Sequence, residues 1–243
     1  MWIQRGSRLF IPLFRLVWGG PVRGAEHVPA AGPVLIAPNH ASFLDPWIIG
    51  CACPRTPLRY LITARWYRRS RAWRGFFESN GVIPTDPERP VDTIERVLAA
   101  LADGDAIVVF PEGRVSRTGS MGRGRPGLGW MAALSGAPVV PLGLRGNYEL
   151  LPRHRRLPRP RAVSLVFGRA RTFPGAPCPA PDPRAVTDFV AGVMDDLCDL
   201  ADQPKRREEV RPLLVTSTRF ELQEGRVVRR RTRDTVVGDT PEM

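Results

Sequence analysis

His40 and Asp45 are the side chains of this sequence best suited to proton transfer. They lie in the segment Ala37-Pro38-Asn39-His40-Ala41-Ser42-Phe43-Leu44-Asp45-Pro46. A carboxylate that holds an imidazole fixes its tautomer and stabilises the imidazolium that forms, so the pair can act as a general base. No serine or cysteine nucleophile is then required, because an acceptor hydroxyl can attack directly. On one helix, positions five apart lie about 140° from each other. The pair therefore belongs in a loop leading into a helix, and Asp45-Pro46 reads as that boundary, with Asp at the N-cap and Pro at the first helical position. The same residues also suit a plain helix cap beside a polar loop histidine, and residue chemistry alone leaves both readings open.

A second constellation is Phe110-Pro111-Glu112-Gly113-Arg114. Pro111 stops a strand, Gly113 permits a tight turn, and Arg114 offers a planar fork of donors suited to phosphate. Glu112 can hold that arginine or meet an acceptor hydroxyl. Arg117, Arg123 and Arg125 add positive potential nearby. A solvated turn with an ion pair accounts for these residues equally well. Gly122-Arg123-Gly124-Arg125-Pro126-Gly127 matches a dinucleotide fingerprint by letter, but it stands about a dozen residues beyond the strand that such a fingerprint must follow directly. A flexible basic loop is the expectation there.

Elements of two kinds must position these groups. Val34–Ala37, Leu58–Thr63, Val82-Ile83, Ala106–Phe110, Pro138–Leu144 and Ala162–Phe167 read as apolar strands. Helical segments are expected from Trp47, over Arg65–Glu78, over Leu128–Leu134 and over Val186–Leu200. The clearest helix carries Val91, Ile94, Val97, Leu98 and Leu101 on one face, with Gly104 as its stop. Strands alternating with helices predict an α/β fold with a mostly parallel central sheet flanked by helices. Both constellations follow buried strands, where open α/β sheets place ligands.

Beyond that domain, placed at 19–202, two segments stand apart. In residues 1–18, Arg5, Arg8 and Arg15 would share one helical arc of about 80°. That pattern suits an amphipathic, membrane-associating helix, although Pro12 interrupts it and a core-packing helix remains an alternative. Residues 203–243 read as a basic, flexible tail. Residues 152–161, rich in Pro and Arg, read as a surface loop. No cleavable leader and no spanning helix are expected, since no run of 18 apolar residues occurs. The four cysteines, Cys51, Cys53, Cys178 and Cys198, match no zinc spacing, and neither a metal nor a cofactor is expected. The net charge of +12 favours anionic partners such as phosphate, acidic lipid, an acidic carrier protein or nucleic acid. A nucleic-acid-binding protein without enzymatic activity is a remote alternative, with no helix-turn-helix, RNA-binding or zinc signature to support it.

With these residues in view, the sequence resembles the lysophospholipid acyltransferase family that includes 1-acylglycerol-3-phosphate acyltransferase. The family's N-H-x4-D block is similar to Asn39-His40-Ala41-Ser42-Phe43-Leu44-Asp45, and its third block to Phe110-Pro111-Glu112-Gly113. Weaker second and fourth blocks resemble Gly81–Pro84 and Ala137–Pro141. The resemblance implies a glycerolipid acyltransferase-like fold and an enzyme at the cytoplasmic face of a membrane, held peripherally. It implies that His40 deprotonates the acceptor hydroxyl and Asp45 orients His40, with acyl-CoA or acyl carrier protein as donor. Glu112, Gly113 and Arg114, with Arg117, would bind the acceptor's phosphate. Many members read F-P-E-G-T-R-S, whereas here Arg114 follows Gly113 directly and Val115 stands where the usual Arg would be. The leading acceptor is 1-acylglycerol 3-phosphate, giving phosphatidic acid. Glycerol 3-phosphate, another lysophospholipid or a lyso-aminolipid are the alternatives.

Overall fold

The computed structural model describes residues 17–204 and 218–231. Its centre is a seven-stranded sheet: β1 (Gly19–Arg23), β2 (Val34–Pro38), β3 (Leu58–Thr63), β4 (Ile83–Thr85), β5 (Ala106–Val108), β6 (Val139–Arg145) and β7 (Val163–Phe167), in the spatial order β1-β7-β6-β2-β5-β3-β4. The block from β6 to β4 is parallel throughout. β7 runs antiparallel to β6, and β1 is parallel to β7. The sheet is thus mostly parallel, as the alternation of elements predicts, with an edge pair of opposite sense. β1 has no apolar run of its own, and its Gly-Gly-Pro start gave no strand signal.

Apolar residues on both faces of the central strands explain their continuous hydrophobicity. Leu35, Ala37, Ile107 and Val139 point to one core, with α4 (Pro90–Ala102), α5 (Gly127–Ser135) and α7 (Pro183–Ala201). Val34, Ile36, Ala106, Val108 and Val140 point to the other, against Ile48 and Ile49 of α1 (Asp45–Ala52) and Leu150 of α6 (Asn147–Leu150). Helix α4 buries Ile94, Val97 and Leu101 and leaves Val91 and Leu98 partly covered, in agreement with the periodicity. The single helix expected over 65–78 is instead two, α2 (Ala64–Tyr67) and α3 (Arg71–Ser79). Ser70 divides them: its backbone is extended, and its Oγ accepts the amide of Trp73, so it caps α3.

The expected membrane-associating segment 1–18 lies, except for Val17 and Trp18, outside the described residues. Part of the expected flexible tail is ordered. Thr218–Gln223 (β8) and Arg226–Arg231 (β9) form an antiparallel hairpin. Its two-residue turn, Glu224 at φ 49° and Gly225 at φ 76°, has the positive angles that match strand twist. Phe220 meets Trp130 of α5 edge-on at 5.4 Å. The amide of Val227 donates to Glu95 of α4 at 3.1 Å, and that of Leu222 to the carbonyl of Pro179 at 2.7 Å. Apolar alternation in Phe220-Glu221-Leu222 was the available signal, obscured by the arginines around it. Because Phe220 is buried in the main core, Phe220→Ala should lower unfolding free energy by about 3 kcal/mol in urea denaturation, as core Phe truncations do. A tail lying free of the domain would show almost no change.

Candidate functional site

The parallel strands β2, β5 and β6 end on the same sheet edge, and each delivers one polar residue just past its end: His40, Glu112 and Asn147. This is the crevice at the carboxyl ends of strands where open α/β sheets bind ligands. Asn39 fixes the first of these exits. Its Nδ2 donates to the carbonyl of Leu144 at 3.1 Å and its Oδ1 accepts the Leu144 amide at 2.7 Å, which extends the β2–β6 connection past the last strand residue.

Asp45 is fully buried, and four donors converge on its carboxylate. Oδ2 accepts the His40 Nδ1–H and the amides of Ala41 and Ser42, each at 2.9 Å. Oδ1 accepts the Asn147 side-chain amide at 2.9 Å. The carboxylate is acceptor-only, so in the neutral ring the shared proton sits on His40 Nδ1 and Nε2 is left bare. Asp45 does not cap α1 as its sequence position suggests. It is the first helical residue, and its side chain turns back to the amides before the helix rather than to those within it. The tight turn Ser42–Asp45, closed by the Asp45 amide on the Ser42 carbonyl, brings the two groups together. The imidazole stacks on Phe110 at 3.8 Å, with the planes 21° apart, and the His40 side chain retains 15% of its exposure.

Glu112 occupies a different place from the one expected. It is 4% exposed, its Oε1 accepts the His40 backbone amide at 3.0 Å, and its Oε2 accepts that of Gly122 at 2.8 Å. It ties two loops together through their backbone amides and does not line the cavity that His40 faces. Burial raises its pKa above the ordinary 4.5, and the two amide bonds oppose that rise without cancelling it. The loop after it is likewise held. The Arg125 amide donates to the Pro111 carbonyl at 2.8 Å, and the Ser116 amide to the His40 carbonyl at 2.7 Å. Gly113 has φ 65°, and a Cβ there would lie 2.7 Å from the Arg125 side chain. Gly124 lies flat on Val190 and Met194 of α7. Gly124, read as part of a flexible loop, therefore serves close packing, whereas a Cβ at Gly127 would meet nothing within 4 Å.

His40, Gly113 and Arg114 line a cavity of about 850 Å3 whose walls are mainly apolar, including Leu61, Phe77 and Val109. Arg117 does not line it; its carbonyl accepts the Tyr148 hydroxyl on a separate turn. Arg153 does line it, and sequence reasoning missed that residue. Its Pro- and Arg-rich loop carries no local sign of which arginine turns toward the site. Among the described residues, neither Arg114 nor Arg153 is ion-paired. Tyr60 closes the floor, its hydroxyl donating to the Pro46 carbonyl at 2.8 Å. Burial pushes that hydroxyl far above the usual tyrosine range. Among the described residues, no group of three or more His, Cys, Asp or Glu side chains is placed to hold a metal ion. A bare imidazole nitrogen, two free guanidinium groups and an apolar chamber together suit proton abstraction from an anionic, partly apolar molecule.

A family model described as Acyltransferase matches residues 21–145. The chloroplastic 1-acyl-sn-glycerol-3-phosphate acyltransferase BAT2 of Brassica napus is 28% identical over 141 residues, covering 54% of this chain and 38% of its own length. The chloroplastic 1-acyl-sn-glycerol-3-phosphate acyltransferase LPAT1 of Arabidopsis thaliana is 29% identical over 135 residues, covering 54% and 37%. The chain thus spans well under half the length of these curated relatives. The crystal structure of the 1-acyl-sn-glycerophosphate acyltransferase PlsC from Thermotoga maritima superposes with a TM-score of 0.65 at 21% identity, over 84% of this chain and 79% of that one. That likeness concerns the fold.

Two outcomes follow from the geometry. Asn147→Ala leaves Oδ1 of a buried carboxylate without its donor, so unfolding free energy should fall by about 1–3 kcal/mol in chemical denaturation. For Glu112, a raised native pKa means that the folded state binds more proton than the unfolded one, so stability falls as pH rises through the window that opens at 4.5. The stability difference between wild type and Glu112→Gln, measured against pH, should decline across that window. A difference that grows with pH would contradict the assignment.

Proposed function

The chain belongs to the acyltransferase family, and on that premise we propose that it esterifies the free hydroxyl of a lysophospholipid, foremost 1-acylglycerol 3-phosphate to phosphatidic acid. The observation that carries the reading is the His40 Nδ1–Asp45 Oδ2 contact of 2.9 Å, with His40 lining an apolar cavity. With Nδ1 committed to Asp45, Nε2 takes the proton of the acceptor hydroxyl as its oxygen attacks the carbonyl carbon of an acyl thioester. The tetrahedral intermediate then collapses, the carbon–sulfur bond breaks, and the imidazolium returns its proton to the leaving thiolate. The products are the ester and the free thiol of coenzyme A or of acyl carrier protein. Asp45 stabilises the transient imidazolium, and Asn147, Ala41 and Ser42 keep that carboxylate in place.

In this reading the apolar chamber receives acyl chain and the guanidinium groups of Arg114 and Arg153 meet the acceptor's phosphate. Arg153 supplies the second cation that the sequence pattern assigned to Arg117. Glu112 and Gly113 shape the turn that presents Arg114 and do not themselves contact phosphate. The 19–202 unit, with its docked hairpin, is the catalytic domain. It works as a peripheral protein at the cytoplasmic face of a membrane, with the 1–18 segment as one anchor. Among the described residues no helix is long and apolar enough to cross a bilayer.

Purified protein with one acyl-CoA and a panel of acceptors tests the proposal. Lysophosphatidic acid should be the best acceptor, and His40→Ala should lower turnover by about 10²–10⁴-fold with the fold intact, the usual contribution of a general base. Undiminished turnover in that variant would remove the proposed base. Equal activity on phosphate-free acceptors would remove the role given to Arg114 and Arg153.

A further inference from the structure

The cavity does not open into ordinary protein surface. Phe43, Trp47, Trp66, Trp73 and Phe76 stand around it, and each keeps between 38% and 49% of its area exposed. Five large aromatic side chains left half in water at one mouth form an apolar patch of the kind that marks an interaction site rather than chance exposure. The helix that contributes two of them is sharply two-sided. At about 100° per residue, Trp73, Phe76 and Phe77 of α3 span an arc of about 100°, whereas Arg71, Arg74 and Glu78 fall within about 60° on the far side. Phe77 turns inward and is buried, stacking on Trp73 at 5.4 Å and meeting Phe76 edge-on at 5.7 Å, so the inner ring holds the outer two in fixed positions.

Charge surrounds this apolar rim. Arg65, Arg68, Arg69, Arg71 and Arg74 are all exposed, against the single acid Glu78 in the same stretch. Among the described residues, only Arg68 of these has a carboxylate partner, Asp86 at 3.2 Å. The Arg69 guanidinium lies 5.2 Å from the centre of the Trp66 ring, leaving the indole and the cation at the same level of the surface. Aromatic rings bordered by arginines suit a bilayer interface, where rings enter the boundary between headgroups and acyl chains and guanidinium groups meet lipid phosphates. An acidic protein partner would call on the arginines, but it would leave unexplained why the exposed rings border a cavity that is itself apolar.

We propose that the aromatic rim formed by α1, α2 and α3, with the arginines of residues 65–74, docks on the headgroup zone of an anionic bilayer and seats the cavity mouth directly on the membrane. Lipid then passes between bilayer and cavity without crossing water. The proposal gives the membrane a contact surface within the catalytic domain, separate from the segment 1–18. It relies on the acyltransferase reading only for what passes through the mouth.

The test is co-sedimentation of the full chain with vesicles of phosphatidylcholine, alone or with about one third phosphatidylglycerol. Wild type should bind the anionic vesicles more tightly. Arg65→Gln/Arg71→Gln/Arg74→Gln and Trp66→Ser/Trp73→Ser should each weaken that binding by about tenfold or more. Trp66→Phe/Trp73→Phe, which keeps the apolar area, should retain most of it and serves if the serine pair fails to fold. Brominated lipid should quench wild-type tryptophan emission more than that of the serine pair. Either the arginine or the aromatic set binding as wild type would overturn the proposal. So would loss of vesicle binding by wild type together with capture by an acidic acyl carrier protein through the same arginines. No turnover is measured, so His40→Ala should bind vesicles as wild type does, and failure of the catalytic reading would show separately.

Discussion

A carboxylate removed from water has to be satisfied by donors, and leaving a buried charge unpaired costs on the order of several kcal/mol. Asp45 meets that demand with two backbone amides, an imidazole and a side-chain amide drawn from two different strand ends. The consequence reaches beyond one residue. The turn after β2 must fold back to place the amides of Ala41 and Ser42, and β6 must deliver Asn147 to the far oxygen. The imidazole then has no freedom left at Nδ1. Glu112 repeats the device on a smaller scale by joining the His40 amide to the loop at Gly122. The two buried acids therefore hold three strand exits in one arrangement, and the sheet supplies the frame by ending β2, β5 and β6 on one edge.

The division of labour between the acids follows from their surroundings. Asp45 touches the ring of His40 and can act on its protonation. Among the described residues Glu112 hydrogen-bonds to backbone amides alone, and its burial is reflected in a pKa held above the ordinary value. The reactive end of the site is accordingly short: a bare ring nitrogen, Arg114, Arg153 and apolar walls. Such a chamber offers a polar end and apolar walls, and exposed aromatic rings border it.

Much of this arrangement was legible in the residues. The continuous apolar runs marked the strands because both sheet faces are covered, and the spacing of Ile94, Val97 and Leu101 marked α4. The five-residue interval between His40 and Asp45 required a turn rather than a helix. The failures have physical causes. Asp-Pro is a strong cap signal, and only tertiary contacts could show that the Asp45 carboxylate turns backward. Glu112 beside Arg114 suggested an ion pair at substrate, whereas its partners are amides 72 and 10 residues away in sequence. Backbone donors leave no compositional trace. Arg153 sits among five other basic residues in a proline-rich loop, and nothing local distinguishes it. The β8–β9 hairpin gains stability from Trp130 and α4 rather than from its own sequence, so its pattern alone is faint.

Catalysis by His40 depends on the Asp45 carboxylate holding the neutral ring in the tautomer that leaves Nε2 free to accept a proton. Nitrogen-15 NMR of the imidazole, with the His40 signals identified by their loss in His40→Ala, reads this directly. Wild type should show a protonated Nδ1 and a bare Nε2 in the neutral ring, and Asp45→Ala should lose that preference. A neutral His40 carrying its proton on Nε2, or a tautomer indifferent to Asp45, would contradict it.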